Sequence, residues 1–357
     1  MIYESMCNAL KDATISIKDI NAIFVSNFLS GPLNKQLHLN ALVASLLPGM
    51  NVPIVRIEAA CASSGAALKQ AMYAIGSLKT VMVIGVEKMT QSIGVKQIDA
   101  LAMASDQLLD QSQGLTLPAS YGLIAQQYMR KYEIDHKVLE EVSFINHKNA
   151  NLNPLAHFYH KEVTKEMINT SPLIASPLNL YDCSPISDGA VAIIISSEKS
   201  GDRDIEILAS HFVTDSISIT QRGNLTSFKA SRLAAKKAYR EAEVDMKDID
   251  ILEVHDCFTI GELLALEDLG FCNSGEASTL VEDGYVLPSG DLPVNTDGGL
   301  IGNGHPIGAT GLAQVYEVVT QIRGEAGLRQ IANVGVGMTQ NIGGVGGTAA
   351  VTILGED

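Results

Sequence analysis

Residues 53–77, PIVRIEAACASSGAALKQAMYAIGS, restrict the fold of this chain more than any other stretch. A run rich in β-branched residues passes through small residues to Cys61. From 62 to 75 apolar positions then recur at helical spacing in an Ala-rich segment, which reads as a buried helix. Cys61 therefore stands on a strand-to-helix turn. Unpaired N–H groups and the helix dipole at such a turn favour a thiolate and a lowered pKa. The same N–H groups can hold an oxyanion forming beside the sulfur. A small buried filler is the plainer reading of the same residue, and the turn alone leaves both open.

Around that stretch the chain alternates strand and helix patterns. A helix is expected almost from Met1, a strand at 21–26 (NAIFVS) and a helix at 38–47. The run 81–86 (VMVIGV) reads as a strand of the buried, parallel kind. From 89 to 180 the character changes to polar helices (121–131 and 136–150) with few strand signals. The stretch 182–196 then returns through a Gly turn to an apolar strand. Further on, strands are expected at 205–210, 249–254, 331–334 and 348–354, and helices at 229–242, from about 260 and from about 309. The pattern predicts an α/β fold in layers with two similar halves. One half is 1–88 with 181–200, the other 201–357, and 89–180 is an inserted loop or lid domain.

A chain of 357 residues exceeds one ordinary core. The five cysteines, at 7, 61, 183, 257 and 272, form no CxxC pairs. That spacing argues against a zinc ribbon or a disulfide framework and fits a reducing compartment. A formal net charge of −15 argues against nucleic acid as a partner. No run reaches the apolar length of a membrane span, and no secretory or retention signal is evident. The expected location is the cytoplasm.

Four polar clusters fall at strand ends or on Gly-rich turns, where α/β sheets place their sites. They are CASSG at 61–65, HDCFT at 255–259, NGHPIGATG at 303–311 and NIGGVGG at 341–347. His255 alone reads more readily as a hydrogen-bonded structural histidine, and Cys257 equally as a small residue under the next helix. His305 is harder to explain as structure, because a structural histidine rarely needs such backbone freedom beside it. No Walker or dinucleotide Gly motif accompanies a strand at the N-terminus, so nucleotide hydrolysis and hydride transfer have no support.

Together, in this order, the four clusters resemble the thiolases, and within them the sterol-carrier-protein type and the archaeal acetyl-CoA acetyltransferases. YGLIAQQYM (121–129), NHKNANLNP (146–154) and DCSPISDGA (182–190) carry the same similarity. The resemblance implies a thiolase-like fold of two βαβαβαββ halves and an acyltransferase that forms or cleaves acetoacetyl-CoA or another 3-ketoacyl-CoA. Cys61 would be the acylated nucleophile and His305 the base that takes its proton. Most thiolases use a second cysteine in a Cys-x-Gly loop near the C-terminus, where this chain has Asn341. The sterol-carrier type places that cysteine in His-Asp-Cys-Phe, here Cys257. One oxyanion hole would use His305 with a water held by His255, the other the N–H groups of Cys61 and Gly343. Ser184 matches a position on the pantetheine arm, and Tyr121 is a further candidate for binding CoA.

The resemblance implies no cofactor beyond coenzyme A as substrate and product, and no metal. It implies a homodimer or homotetramer joined at the strand before the nucleophile. Some archaeal relatives also bind a zinc-ribbon/OB-fold protein and a hydroxymethylglutaryl-CoA synthase. One departure stands out: the first strand of the family pattern has no counterpart, and its loss is expected to open a gap in the middle of the first sheet. A non-catalytic acyl-CoA-binding or scaffolding subunit is the alternative function.

Overall fold

The run VMVIGV lies within a strand buried on both faces, and alternate residues serve two different cores. Val81 and Val83 join one hydrophobic cluster, while Met82, Ile84 and Val86 join another. This is the period-2 alternation of a strand with helices above and below it.

The computed structural model describes residues 1–92 and 94–356. In order they form α1 (Ile2–Asp12), β1 (Ala22–Ser26), α2 (Ser30–Asn34), α3 (Leu39–Ser45), β2 (Ile54–Ile57), α4 (Ser63–Ile75) and β3 (Thr80–Glu87). There follow α5 (Val95–Ala102), α6 (Leu117–Tyr132), α7 (Lys137–Ala150), α8 (Lys165–Thr170), β4 (Leu173–Ala175), β5 (Leu178–Asn179) and β6 (Gly189–Ser196). The second half contains β7 (Glu206–Thr214), α9 (Lys229–Ala242), β8 (Ile251–Glu253), α10 (Thr259–Asp268) and α11 (Ala277–Glu282). It ends with α12 (Gly299–Asn303), α13 (Thr310–Ile322), β9 (Val336–Gly343) and β10 (Thr348–Gly355).

Two mixed sheets have matching orders. The first runs β2-β1-β3-β6, parallel except for β6; the second runs β8-β9-β10-β7, with β10 antiparallel to both neighbours. A parallel bridge from Leu252 to Val294 stands where β2 stands in the first sheet. Between the sheets lie α4 and α13. Ala67, Leu68 and Ala71 of α4 share one core with Leu312, Val315, Val318 and Ile322 of α13, together with Val81, Val83 and Ile251. The Ala-rich composition of α4 fits this place, since small side chains let it lie between the sheets at close range. Its first seven residues, Ser63 to Lys69, are all buried.

Two expectations are corrected. The first sheet has no gap in its middle, because β2, β1, β3 and β6 pair in unbroken register. The second half shows where its additional strand goes: β7 lies outside β10, at the sheet edge. The equivalent edge of the first sheet is the outer side of β6, whose residues are half-exposed where those of β10 are buried. The strand expected at 331–334 lies instead at Val336–Gly343. Gly337 reads in the sequence as part of a loop, but it is a packing residue within the strand. A Cβ there would strike Val318 and come within 2.8 Å of Ile251.

Between β3 and β6, helices α5 to α8 and the β4–β5 hairpin form a separate layer. Tyr121, Ile124 and Tyr128 of α6 and Val142 and Ile145 of α7 pack with Ile260, Leu263 and Leu264 of α10. That contact brings α6 down to the strand ends that carry the four clusters. No described helix is long and apolar enough to cross a membrane.

Candidate active site

The turn that presents Cys61 is held under strain by a clip. Ala60 has φ of 50°, a left-handed conformation that costs a residue with a Cβ about 1–2 kcal/mol. Ser63 offsets this: its Oγ accepts the Ala59 N–H at 2.9 Å and donates to the Ala60 carbonyl at 2.5 Å. The result seats Cys61 just before the N-cap of α4, and it is 3% exposed.

The four clusters, dispersed in sequence, meet here. Sγ of Cys61 and one ring nitrogen each of His255 and His305 lie within 4.8 Å of one another. The two imidazole centroids are 5.0 Å apart, with the rings nearly perpendicular at 86°. His305 rides on a loop entered through Gly304, whose φ of 112° only glycine adopts readily. A Cβ there would also strike Ser187 Oγ at 2.5 Å, and that same oxygen accepts the His305 N–H at 3.0 Å. Glu87, at the end of β3, ties this loop to the first sheet. Its carboxylate accepts from Asn27 Nδ2 (2.8 Å), Phe28 N (2.9 Å), Leu29 N (3.0 Å) and Gly308 N (3.1 Å).

Hydrogen bonds fix opposite tautomers on the two histidines. The Thr310 hydroxyl donates to the Pro306 carbonyl at 3.2 Å, so it accepts at 2.7 Å from His305 Nδ1–H. His305 Nε2 is therefore a bare acceptor. The Asn341 amide is oriented by Gly65 N–H, which donates to its Oδ1 at 3.3 Å. Its Nδ2 then donates to the Cys61 carbonyl at 2.9 Å and to His255 Nδ1 at 3.4 Å. His255 consequently carries its proton on Nε2. Both Nε2 atoms are buried and unpartnered, one a donor and one an acceptor. Cys61, His255 and His305 have the donor types for a thiophilic cation, yet a cation would have to displace the proton that Asn341 keeps on His255 Nε2.

Cys257, just beyond the end of β8, is 6% exposed and near enough to Cys61 for the two sulfurs to oppose each other's ionisation. Burial, with the nearby Cys61 sulfur adding to it, holds the Cys257 thiol well above its ordinary value. Asp256, beside it, accepts from Leu300 N (2.6 Å) and Asn146 Nδ2 (2.9 Å), anchoring the turn to α12 and α7. The Ser184 N–H donates to the Cys257 carbonyl at 3.0 Å, so Ser184 borders the site from the β6 side. Gly343 closes β9 against the Cys61 turn, where a Cβ would come within 2.5 Å of the Ala59 carbonyl. Tyr121, 1% exposed, lies in this inner wall with its hydroxyl donating to the Gly344 carbonyl at 3.1 Å.

Burial decides the resting protonation. The Cys61 thiol is pushed up to about 12, with Glu87 and Glu58 adding to the effect. This corrects the expectation of a lowered pKa: a helix dipole contributes about 0.3–1 kcal/mol, less than one pH unit. Burial also holds His305 down at about 3 and His255 well below its ordinary value. The resting site is thus a neutral thiol facing two neutral imidazoles. Alkylation of Cys61 by iodoacetamide, followed by peptide mapping, is expected to rise about tenfold per pH unit between about pH 6 and about pH 9. A plateau near neutrality would instead reveal a preformed thiolate–imidazolium pair.

Sequence patterns single out Cys61, His255, Cys257, His305 and Gly343 but give no positive role to Asn341, Thr310 or Glu87. In the sequence Asn341 reads only as a residue unable to replace a cysteine. Its one signal is its place at the head of a Gly-rich run. Thr310 lies within the 303–311 cluster, where nothing in the sequence sets it apart from its neighbours.

Comparisons with known proteins agree over the whole chain. The family described as "Thiolase, N-terminal domain" matches residues 1–199, and "Thiolase C-terminal domain-like" matches 212–356. An acetyl-CoA acetyltransferase of Methanothermobacter thermautotrophicus is 44% identical over 360 residues, covering 99% of this chain and 93% of its own. Human sterol carrier protein 2 is 35% identical over 320 residues, covering 85% of this chain and 58% of that longer one. Among solved structures, the Ltp2–ChsH2(DUF35) aldolase superposes with a TM-score of 0.86 at 24% identity, covering 99% of this chain and 92% of that one. With both halves matched and the four clusters gathered around one thiol, the chain belongs to the thiolase family.

Proposed function

We propose that this thiolase-family acyltransferase is an acetyl-CoA C-acetyltransferase, forming or cleaving acetoacetyl-CoA or another 3-ketoacyl-CoA through an acyl-Cys61 intermediate. The observation that carries the reading is the pair of opposite tautomers beside the thiol, an acceptor on His305 and a donor on His255. Acetyl transfer needs a proton taken from Cys61, a donor for the thioester oxygen, and a separate acid/base group.

His305 Nε2 takes the Cys61 proton as the sulfur attacks the thioester carbon. The bond from that carbon to the CoA sulfur breaks, and the departing thiolate takes a proton from Cys257. Acetyl-Cys61, a protonated His305 and a Cys257 thiolate remain. The thiolate removes an α-proton from a second acetyl-CoA, and the new carbanion attacks the acetyl carbonyl. Cys61 then leaves and recovers its proton from His305, so every proton is accounted for. During the first attack the negative oxygen faces the N–H groups at Cys61 and Gly343–Gly344. During α-proton removal the second thioester oxygen faces His255 Nε2–H and the protonated His305. Run backward, the same steps cleave a 3-ketoacyl-CoA.

Residues 89–180 act as a lid over which CoA lies, with Ser184 on the pantetheine path. The partner is a second copy of the chain, joined at the outer edge of β2, where Val55 is 47% exposed; a monomer by light scattering would refute this. A protein of the DUF35 class, as in the printed title of one structural neighbour, and a hydroxymethylglutaryl-CoA synthase are further partners, and the cytoplasm is the location. The deciding experiment is intact mass after incubation with acetyl-CoA, with peptide mapping. An acetyl group on Cys61 supports the reading; a folded protein that takes up none overturns it.

A further inference from the structure

The chain reaches His305 through α12, a helix of five residues with a glycine of positive φ at each end, 111° at Gly298 and 112° at Gly304. Such glycines act as pivots, so the backbone alone does not fix where α12 delivers the imidazole. Side chains do. Asp297, 5% exposed, spans the helix from end to end. One of its carboxylate oxygens accepts the Gly299 N–H at 2.7 Å, and the other accepts from Asn303 Nδ2 at 2.5 Å. Gly299 is the first residue of α12 and Asn303 the last, with Gly304 and His305 directly after it. The layer of 89–180 holds the same two residues by their backbone. Asn153 Nδ2 donates to the Asp297 carbonyl at 2.9 Å, and the His157 N–H donates to the Asn303 carbonyl at 2.9 Å.

We propose that Asp297 is the positioning residue for His305: its carboxylate brackets Gly299 and Asn303 and so fixes the Gly304 pivot from which the imidazole faces the Cys61 thiol. The proposal rests on His305 taking the Cys61 proton, as in the function proposed above. Both oxygens must accept, which requires an ionised carboxylate. Burial and Glu317 push Asp297 up to about 6, while the Gly299 and Asn303 N–H groups pull it down, so it is ionised from neutral pH upward. Glu253 of β8 also faces it, and Arg329 on that side is already paired with Glu317 at 2.8 Å.

Asn303→Asp sets two carboxylates face to face and breaks the bracket. A misplacement of about 1 Å costs about a hundredfold in rate, so kcat for condensation at about pH 8 should fall about 10- to 100-fold, with KM unchanged. Adding Asp297→Asn exchanges the two side chains. The amide at 297 then donates to the carboxylate at 303, and its oxygen still accepts the Gly299 N–H, so kcat should return to near the wild-type value. A defect in packing alone would not be rescued in this way. NMR of protein labelled at histidine nitrogen gives a readout free of turnover: the His305 ring signals should shift in Asn303→Asp and return in the exchanged pair. Asn303→Ala breaks the bracket without a new charge and should lose about tenfold in kcat, with Asp297→Ala adding nothing further. Unchanged kcat and ring signals in folded Asn303→Ala overturn the proposal, as does an exchanged pair no better than Asn303→Asp. Absence of an acetyl adduct on wild-type Cys61 counts against the proposed function and leaves the ring signals to judge Asp297.

Discussion

Cys61→Ala is expected to lose acyl transfer altogether, with turnover down by about ten-thousand-fold or more. No acetyl adduct should appear by intact mass after incubation with acetyl-CoA. The size of the effect follows from the site's construction. A nitrogen of each imidazole and the strained Ala60 turn converge on this one sulfur. Alanine leaves those groups in place with nothing to form the acyl bond. The fold should survive, because the Ser63 clip and the hydrogen bond from Asn341 use backbone atoms of the turn and not the thiol. A scaffolding subunit that only binds acyl-CoA would be indifferent to the change, so retained function in its assembly with turnover absent from the wild type would revive that alternative.

Cys257→Ser is expected to separate the two halves of the reaction. Acetyl-Cys61 should still form at near wild-type stoichiometry, while acetoacetyl-CoA formation falls by about a hundred- to ten-thousand-fold. The asymmetry is chemical. The CoA thiolate is the conjugate base of an ordinary thiol, pKa about 8.5, and departs without help from a strong acid. An α-proton of a thioester is far less acidic and needs a base in contact with it, a role a serine hydroxyl cannot fill near neutral pH. Acetylation by mass and product formation by chromatography, on the same sample, check both parts. Condensation that persists in Cys257→Ser would move the acid/base role to one of the histidines.

The chemistry-bearing residues are legible because each sits in a short, distinctive run. Cys61 follows a β-branched strand and precedes an Ala-rich helix, and His305 lies between glycines. Cys257 follows His255 at the end of an apolar strand. Strand and helix order is legible for the same reason, through the switch between period 2 and period 3.6. The misplaced strand at 331–334 shows the limit. Gly335 and Gly337 look like an interruption, and only the proximity of Val318 and Ile251 explains why a glycine sits inside β9.

Pattern in the chain was thus enough for the layered α/β architecture with its duplicated halves, and it singled out the thiol and imidazoles that folding brings within 4.8 Å of one another. Their protonation came from the folded arrangement. The tautomer of His255 depends on Asn341, which also holds the Cys61 carbonyl from 280 residues away in the chain. The pKa of Cys61 is set by enclosure among Leu29, Leu33, Met89, Ala100 and Ile307, which outweighs the local helix dipole that the sequence suggested. Likewise the open edge of the first sheet became visible only when the order of the second sheet placed β7 outside β10. Local pattern fixes what a residue is and which way its strand or helix runs. Desolvation and hydrogen-bond partners come from segments that only folding brings together, and those set what the residue can do.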